Sequence, residues 1–121
     1  MTDKLVIMCT SGVDNPELAI IPFVMATAAQ ASDIEVLLGF QGSGVMLVRR
    51  GVATHVVAAG FPSLNDLIEA YRELGGKMYV CGPCVSSRNI DPENEFIEGA
   101  TVVNAVTFVK ECVEATNVIV Y

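Results

Sequence analysis

Short continuous apolar runs alternate with helical patterns along this chain, and that alternation constrains the fold more than any other feature. The runs are Leu5–Cys9, Glu35–Phe40, Met78–Cys81, Ala100–Val103 and Val118–Tyr121. They do not alternate apolar with polar, as half-exposed strands would. They read as strands covered on both faces. Strands separated by helices point to an α/β domain with a parallel sheet. Thr54–Ala58 is a weaker sixth strand candidate.

The clearest helix is Leu64–Leu74, where Leu64, Leu67, Ile68, Tyr71 and Leu74 recur at helical spacing. Ser63 is its expected N-cap, with Asp66 three residues on, and Gly75-Gly76 ends it. The last helix spans about Ala105–Ala115 and is expected to bury Ala105, Phe108, Val109 and Cys112. The first helix is less regular. Asp14 and Glu17 form a candidate capping box, but Pro22 interrupts the pattern, and an interior proline costs about 3 kcal/mol. The expectation is a helix that starts near Pro22 or is kinked there. Gly42–Arg50 reads as a short helix closed by Gly51.

At 121 residues the chain is one domain, residues 1–121, able to bury a core without disulfides. Hydrophobic residues make up 52% of it and charged residues 17%, which is more apolar than a typical soluble monomer. A membrane does not absorb the surplus. The longest apolar stretch, Leu18–Ala29, contains Pro22 and is too short to span. Oligomerisation is therefore expected. MTDKLVIMCT shows no long apolar leader with a cleavage site, so a cytoplasmic location is expected. The net charge of −7 argues against binding nucleic acid, which needs clustered Lys and Arg; Arg49-Arg50 is the only basic pair.

Four cysteines in a reducing compartment are more often chemical than structural. Cys81 ends a strand, Gly82-Pro83 follows, and Cys84 falls in what reads as the first turn of a helix. Free N–H groups and the helix dipole at such a start favour the thiolate, so the Cys81 thiol is expected below the ordinary value of about 8.5. Cys84, one turn on, is a candidate resolving thiol. The bland alternative is a pair of small buried hydrophobes. A Cys-Gly-Pro-Cys string invites comparison with thioredoxins. Here it lies two-thirds along the chain, no Trp precedes it, and the only later proline is Pro92. Metal is not expected, because Cys9 and Cys112 lack ligand-pair spacing and His55 is the single histidine. Cys9 and Cys112 read as core residues and His55 as a surface or loop residue, with a general-base role as its alternative. Sites in open parallel sheets form outside the carboxyl ends of strands. This draws attention to the polar loops Thr10–Asn15 and Gln41–Gly44, where Ser11-Gly12 and Gly42-Ser43-Gly44 are candidate anion cradles, against the plainer reading of ordinary turns. Arg88, four residues past Cys84, is a candidate stabiliser of a thiolate or of an acidic partner.

The strand LVIMC with its long first helix, EVLLGFQGSGVMLVRRG, FPSLNDLIEAYRELGGKMYVC and the closing NVIVY together resemble the DsrE/DsrF-like family, which includes the TusBCD sulfur-relay subunits. The resemblance implies a three-layer α/β/α sandwich with a mostly parallel five-stranded sheet, a trimer or hexamer, and a persulfide-carrying cysteine at Cys81. The relay-subunit pattern of Cys, six residues, Arg-Gly falls on Cys81, Arg88 and Asn89. Asn is the usual substitute for Gly at positive φ. Cys84 is additional to that pattern.

The resulting expectation is a cytoplasmic sulfur carrier of the sulfurtransferase type without a cofactor. Cys81 accepts sulfane sulfur from a donor protein and passes it to an acceptor, with Cys84, Arg88, Ser11, Gly12, Gln41 and Gly42 around it. One alternative is a thiol–disulfide or peroxide-reactive protein using Cys81 and Cys84. Another is an oligomeric scaffold or regulator with inert cysteines.

Overall fold

A computed structural model describes residues 2–121. Five parallel strands form one sheet: β1 (Lys4–Cys9), β2 (Glu35–Phe40), β3 (Lys77–Cys81), β4 (Ala100–Val103) and β5 (Asn117–Val120), in the order β4-β3-β2-β1-β5. Helix α1 (Pro16–Ala31) connects β1 to β2, and α2 (Leu64–Glu73) connects β2 to β3. The short helices α3 (Gly82–Ser87) and α4 (Pro92–Glu95) lie between β3 and β4, and α5 (Ala105–Glu114) leads to β5.

The topology decides how the two sheet faces are covered. Connections from β1 to β4 step in one direction across the sheet, and right-handed crossovers then stack their helices on one face. That face carries the main core: Ile7, Val36, Leu38, Phe40, Met78 and Val80 from the strands meet Ile20, Phe23, Leu67 and Tyr71 from α1 and α2. The last connection reverses direction, from the β4 edge back to the β5 edge, so α5 lies on the opposite face. There Phe108 packs on Val6, Met8 and Leu37. Gly39 makes room for it, since a Cβ at that position would sit 2.7 Å from the Phe108 ring and 2.6 Å from the Met8 sulfur.

Most element boundaries fall within a residue of the sequence expectation, and four local readings are corrected. The first helix is continuous from Pro16 and holds Pro22 within it. Its N-cap is Asn15, whose Oδ1 accepts from the Leu18 amide at 3.2 Å, not Asp14, whose carboxylate accepts from the Gly12 amide at 2.9 Å. Pro22 leaves the Leu18 carbonyl without its helical donor, and Leu18 is exposed, where water can supply one. Thr54–Ala58 is not a strand: Ala53–His55 is a 3-10 turn packed against α2. Gly42–Val48 winds as a 3-10 helix, and Arg49 leaves it to bridge Phe96. Finally, α5 buries only Phe108; Ala105 and Val109 are exposed and Cys112 is half-buried.

Ser63 caps α2 as expected, its hydroxyl accepting from the Asp66 amide at 3.2 Å. The two glycines that end α2 have separate tasks. Gly75 takes φ +77°, and Gly76 lies against the face of the Tyr71 ring, where any Cβ would collide. The buried Tyr71 hydroxyl donates to the Lys77 carbonyl at 2.6 Å, tying the helix to the start of β3. Gly76→Ala is therefore expected to destabilise the fold by about 1–3 kcal/mol, the usual cost of overpacking. Urea unfolding checks this. A midpoint unchanged from wild type would show that Tyr71 can step aside.

Candidate functional site

Cys9, Phe40 and Cys81 end neighbouring strands at one edge of the core, and the loops that follow them converge. Two close backbone approaches lock the loops together. A Cβ on Gly44 would collide with the Cys9 carbonyl oxygen, and one on Gly12 with the Ser43 carbonyl oxygen. The Gln41 amide donates to the Cys9 carbonyl at 3.0 Å, and the Gly44 amide to the Gln41 carbonyl at 2.9 Å. The segment from Gln41 to Gly44 is thus fixed between β1 and the cysteine loop. Gly42, at φ +55°, turns its N–H outward onto the Cys84 sulfur at 3.3 Å.

Cys81 is the N-cap residue of α3 and Cys84 lies in its first turn. Both are half-buried free thiols, with their Sγ atoms 2.7 Å apart. The Cys84 sulfur accepts from the Gly42 amide, which favours charge on Cys84 and, when it is ionised, the shared proton on Cys81. Partial burial pushes the Cys84 thiol up, but the Cys81 thiol, the Gly42 amide and the Arg88 guanidinium together hold it below the usual range. Burial raises Cys81, and donation of its own proton to Cys84 raises it further, against smaller pulls from the Cys84 backbone amide and Arg88. This corrects the sequence expectation. The more acidic thiol is Cys84. The signal for it was a glycine forty-two residues upstream whose amide direction no local pattern encodes.

The remaining candidates are placed as follows. Arg88 caps α3, and its Nη1 donates to the Cys84 carbonyl at 3.2 Å. Asn89 takes φ +54°, as its place in the Cys-to-Arg-Gly pattern predicts. Gln41 precedes Gly42 and faces a groove on the α5 side. Gly12 lies against the Ser43 carbonyl in the Gln41–Gly44 loop, and neither it nor Ser11 makes a hydrogen bond to either sulfur. Cys9 is buried, which pushes its thiol far up and leaves it inert. His55 is exposed at the end of its 3-10 turn. Among the described residues, no three His, Cys, Asp or Glu side chains converge as metal ligands would.

The DsrE/DsrF-like family model matches residues 3–121. The chain belongs to the DsrE/DsrF-like family. It is 32% identical over 106 residues to the uncharacterized protein MJ0760 of Methanocaldococcus jannaschii; the match covers 88% of this chain but only 38% of that protein. It is 30% identical over 111 residues to MJ0989 of the same organism, covering 89% and 93% of the two chains. Among solved structures, the ychN protein of E. coli superposes with a TM-score of 0.82 at 16% identity, over 99% of this chain and all of that one. MTH1491 of Methanobacterium thermoautotrophicum gives 0.78 at 14% identity, over 98% and 99%. These likenesses bear out the α/β/α architecture and the five-stranded parallel sheet typical of DsrE-like folds.

The order of thiol reactivity follows from the geometry. Alkylation with iodoacetamide as pH is raised should label Cys84 first, with its midpoint below the free-thiol value of about 8.5. Cys81 should follow at higher pH, and Cys9 should label only on unfolding. Peptide mapping reads the order. Cys81 reacting ahead of Cys84 would refute the proton placement.

Proposed function

We propose that this DsrE/DsrF-like chain is a sulfur carrier in which Cys81 accepts sulfane sulfur from a donor persulfide and hands it to a partner protein. The supporting observation is the half-exposed Cys81–Cys84 pair at the carboxyl end of β3, in a family generally linked to sulfur relay. In the loading step the Cys81 sulfur attacks the outer sulfur of the donor R–S–SH, and its proton passes to the adjacent Cys84 thiolate. The donor sulfur–sulfur bond breaks and R–S⁻ departs as R–SH by taking that proton from Cys84, which returns to the thiolate. In the transfer step an acceptor thiolate attacks the outer sulfur and releases Cys81. Such a carrier needs an activated thiol and a docking surface rather than a metal or an electron carrier. Four free cysteines suit a reducing cytoplasm. No helix among the described residues is long and apolar enough to cross a membrane.

The 2.7 Å sulfur–sulfur distance also favours a second reading, a thiol–disulfide protein cycling Cys81 and Cys84. Intact mass after incubation with a persulfide donor separates the two. Carriage adds about 32 Da per sulfur, whereas disulfide formation removes about 2 Da. The carrier reading expects the gain on Cys81 in a trapped Cys84→Ser chain and none in Cys81→Ser. Equal loading of Cys81→Ser would defeat it.

Self-association belongs to the same reading. Val106, Val109 and Val113 form a stripe along α5 that is 76%, 61% and 79% exposed, and Val120 beside it on β5 is 66% exposed. Between them runs a groove of about 360 Å³ lined by Met8, Gln41, Phe108, Cys112, Val118 and Val120. Large contiguous apolar patches are uncommon on soluble monomers. Light scattering should give a multiple of 12.9 kDa, with a trimer or hexamer expected. Val109→Asp with Val113→Asp should shift the mass to that of the single chain. A wild-type monomer at low micromolar concentration would rule the assembly out.

A further inference from the structure

We propose that Cys84 discharges the sulfur carried on Cys81 as hydrosulfide, so that a loaded chain left without an acceptor ends as a Cys81–Cys84 disulfide. The inference rests on the carrier reading and extends it to a second activity, reduction of sulfane sulfur.

Three observations converge on this step. The Cys84 sulfur lies 2.7 Å from the Cys81 sulfur, the inner atom of a persulfide on Cys81. The two need to approach by only about 0.7 Å to reach a disulfide bond of about 2.05 Å. The fixed Gly42 amide meets the Cys84 sulfur at 3.3 Å and stabilises charge there. Arg88 adds positive charge one helical turn further on, while its side chain holds the Cys84 carbonyl. A sulfur whose charged form is favoured is therefore in place beside the atom it would attack. These same contacts lower the Cys84 thiol, which supports its role as nucleophile.

The step balances without a further reagent. The electron pair of the Cys84 thiolate forms the new sulfur–sulfur bond to the inner sulfur. The pair of the old bond leaves with the outer sulfur, which keeps its proton and departs as HS⁻. The outer sulfur is reduced and Cys84 is oxidised to the disulfide level. A dithiol reductant then returns both cysteines to thiols, supplying two electrons and two protons and becoming a cyclic disulfide itself. Hand-off to a partner breaks the same bond differently: the acceptor takes the outer sulfur and no disulfide forms. The two fates compete, and a docked acceptor decides between them.

The test uses the full reduced chain, loaded with glutathione persulfide, desalted and followed by intact mass and by trapping of released HS⁻. Wild type is expected to lose its added sulfur with release of about one HS⁻ per chain and to finish as the intramolecular disulfide. Cys84→Ser is expected to load more slowly, lacking its proton acceptor, and then to hold its sulfur at least about tenfold longer with no HS⁻ released. Cys84→Ala, checked for native circular dichroism, should behave alike and exclude an effect of the serine hydroxyl. Equal lifetimes in wild type and both variants, with no disulfide formed, would overturn the release step and leave the carrier reading standing. Failure of every chain to gain sulfur on Cys81 would overturn the carrier reading and the release step with it.

Discussion

The single reversal in strand order is the constraint on which the rest of this structure depends. Four strands laid down in one direction place α1 and α2 on one face and give it a full core. The return to β5 leaves α5 alone on the other. Five strands spaced about 4.8 Å apart span about 19 Å between outer axes. A helix with its side chains is about 10 Å across, so one helix covers roughly half of that face. Phe108 fills the middle over Val6, Met8 and Leu37, and what lies outside its reach is apolar and open. Part of the surplus of hydrophobic residues lies here, as Val106, Val109, Val113, Val118 and Val120, while Val13, Val57 and Leu74 are exposed elsewhere.

The same topology brings three strand ends together and makes the site a matter of backbone contact. Gly12 and Gly44 act by having no side chain, so that one carbonyl presses on each. Through these contacts the Gln41–Gly44 segment is held against β1, and the direction of the Gly42 amide is set by the fold rather than by the cysteine loop itself. That separation matters for chemistry. A donor anchored elsewhere keeps its position when Cys81 and Cys84 change partners.

Much of this was legible in the sequence, because continuous apolar runs and one strongly amphipathic helix follow directly from burial. The Leu64–Glu73 helix, its Ser63 cap and its glycine stop are local features, and local reasoning found them. The positive φ at Asn89 was expected from the family resemblance instead, through its place in the Cys-to-Arg-Gly pattern. What was not legible depends on tertiary placement. The Val109 and Cys112 face of α5 looks like a core face at helical spacing, and nothing in that spacing says that the sheet opposite is already occupied by Phe108. Pro22 looked like a break, yet the carbonyl it leaves without a donor belongs to exposed Leu18. The cysteine pair was found, but its proton was assigned from helix-start reasoning. Helix α3 has only six residues, and what its first amides supply to Cys81 is outweighed by burial and by the neighbouring Cys84 thiol.

Placing the proton on Cys81 and the charge on Cys84 changes how a two-cysteine site works. A lone carrier cysteine must be acidic to attack and must then hold a persulfide that nothing nearby contests. Here the roles are split. In the carrier proposed above, Cys84 would serve as base while Cys81 is a thiol, and would become its rival once Cys81 carries sulfur. The distance that makes proton transfer short also makes sulfur–sulfur attack short, so in that proposal fast loading and limited retention would come from one geometry. Retention then has to be provided from outside, by an acceptor that reaches the outer sulfur first. The uncovered α5 face begins at Gln41, the residue next to Gly42. A chain seated in that groove would contact the segment that supports the Cys84 charge, and under the proposed function assembly would then bear on the balance between carrying sulfur and releasing it.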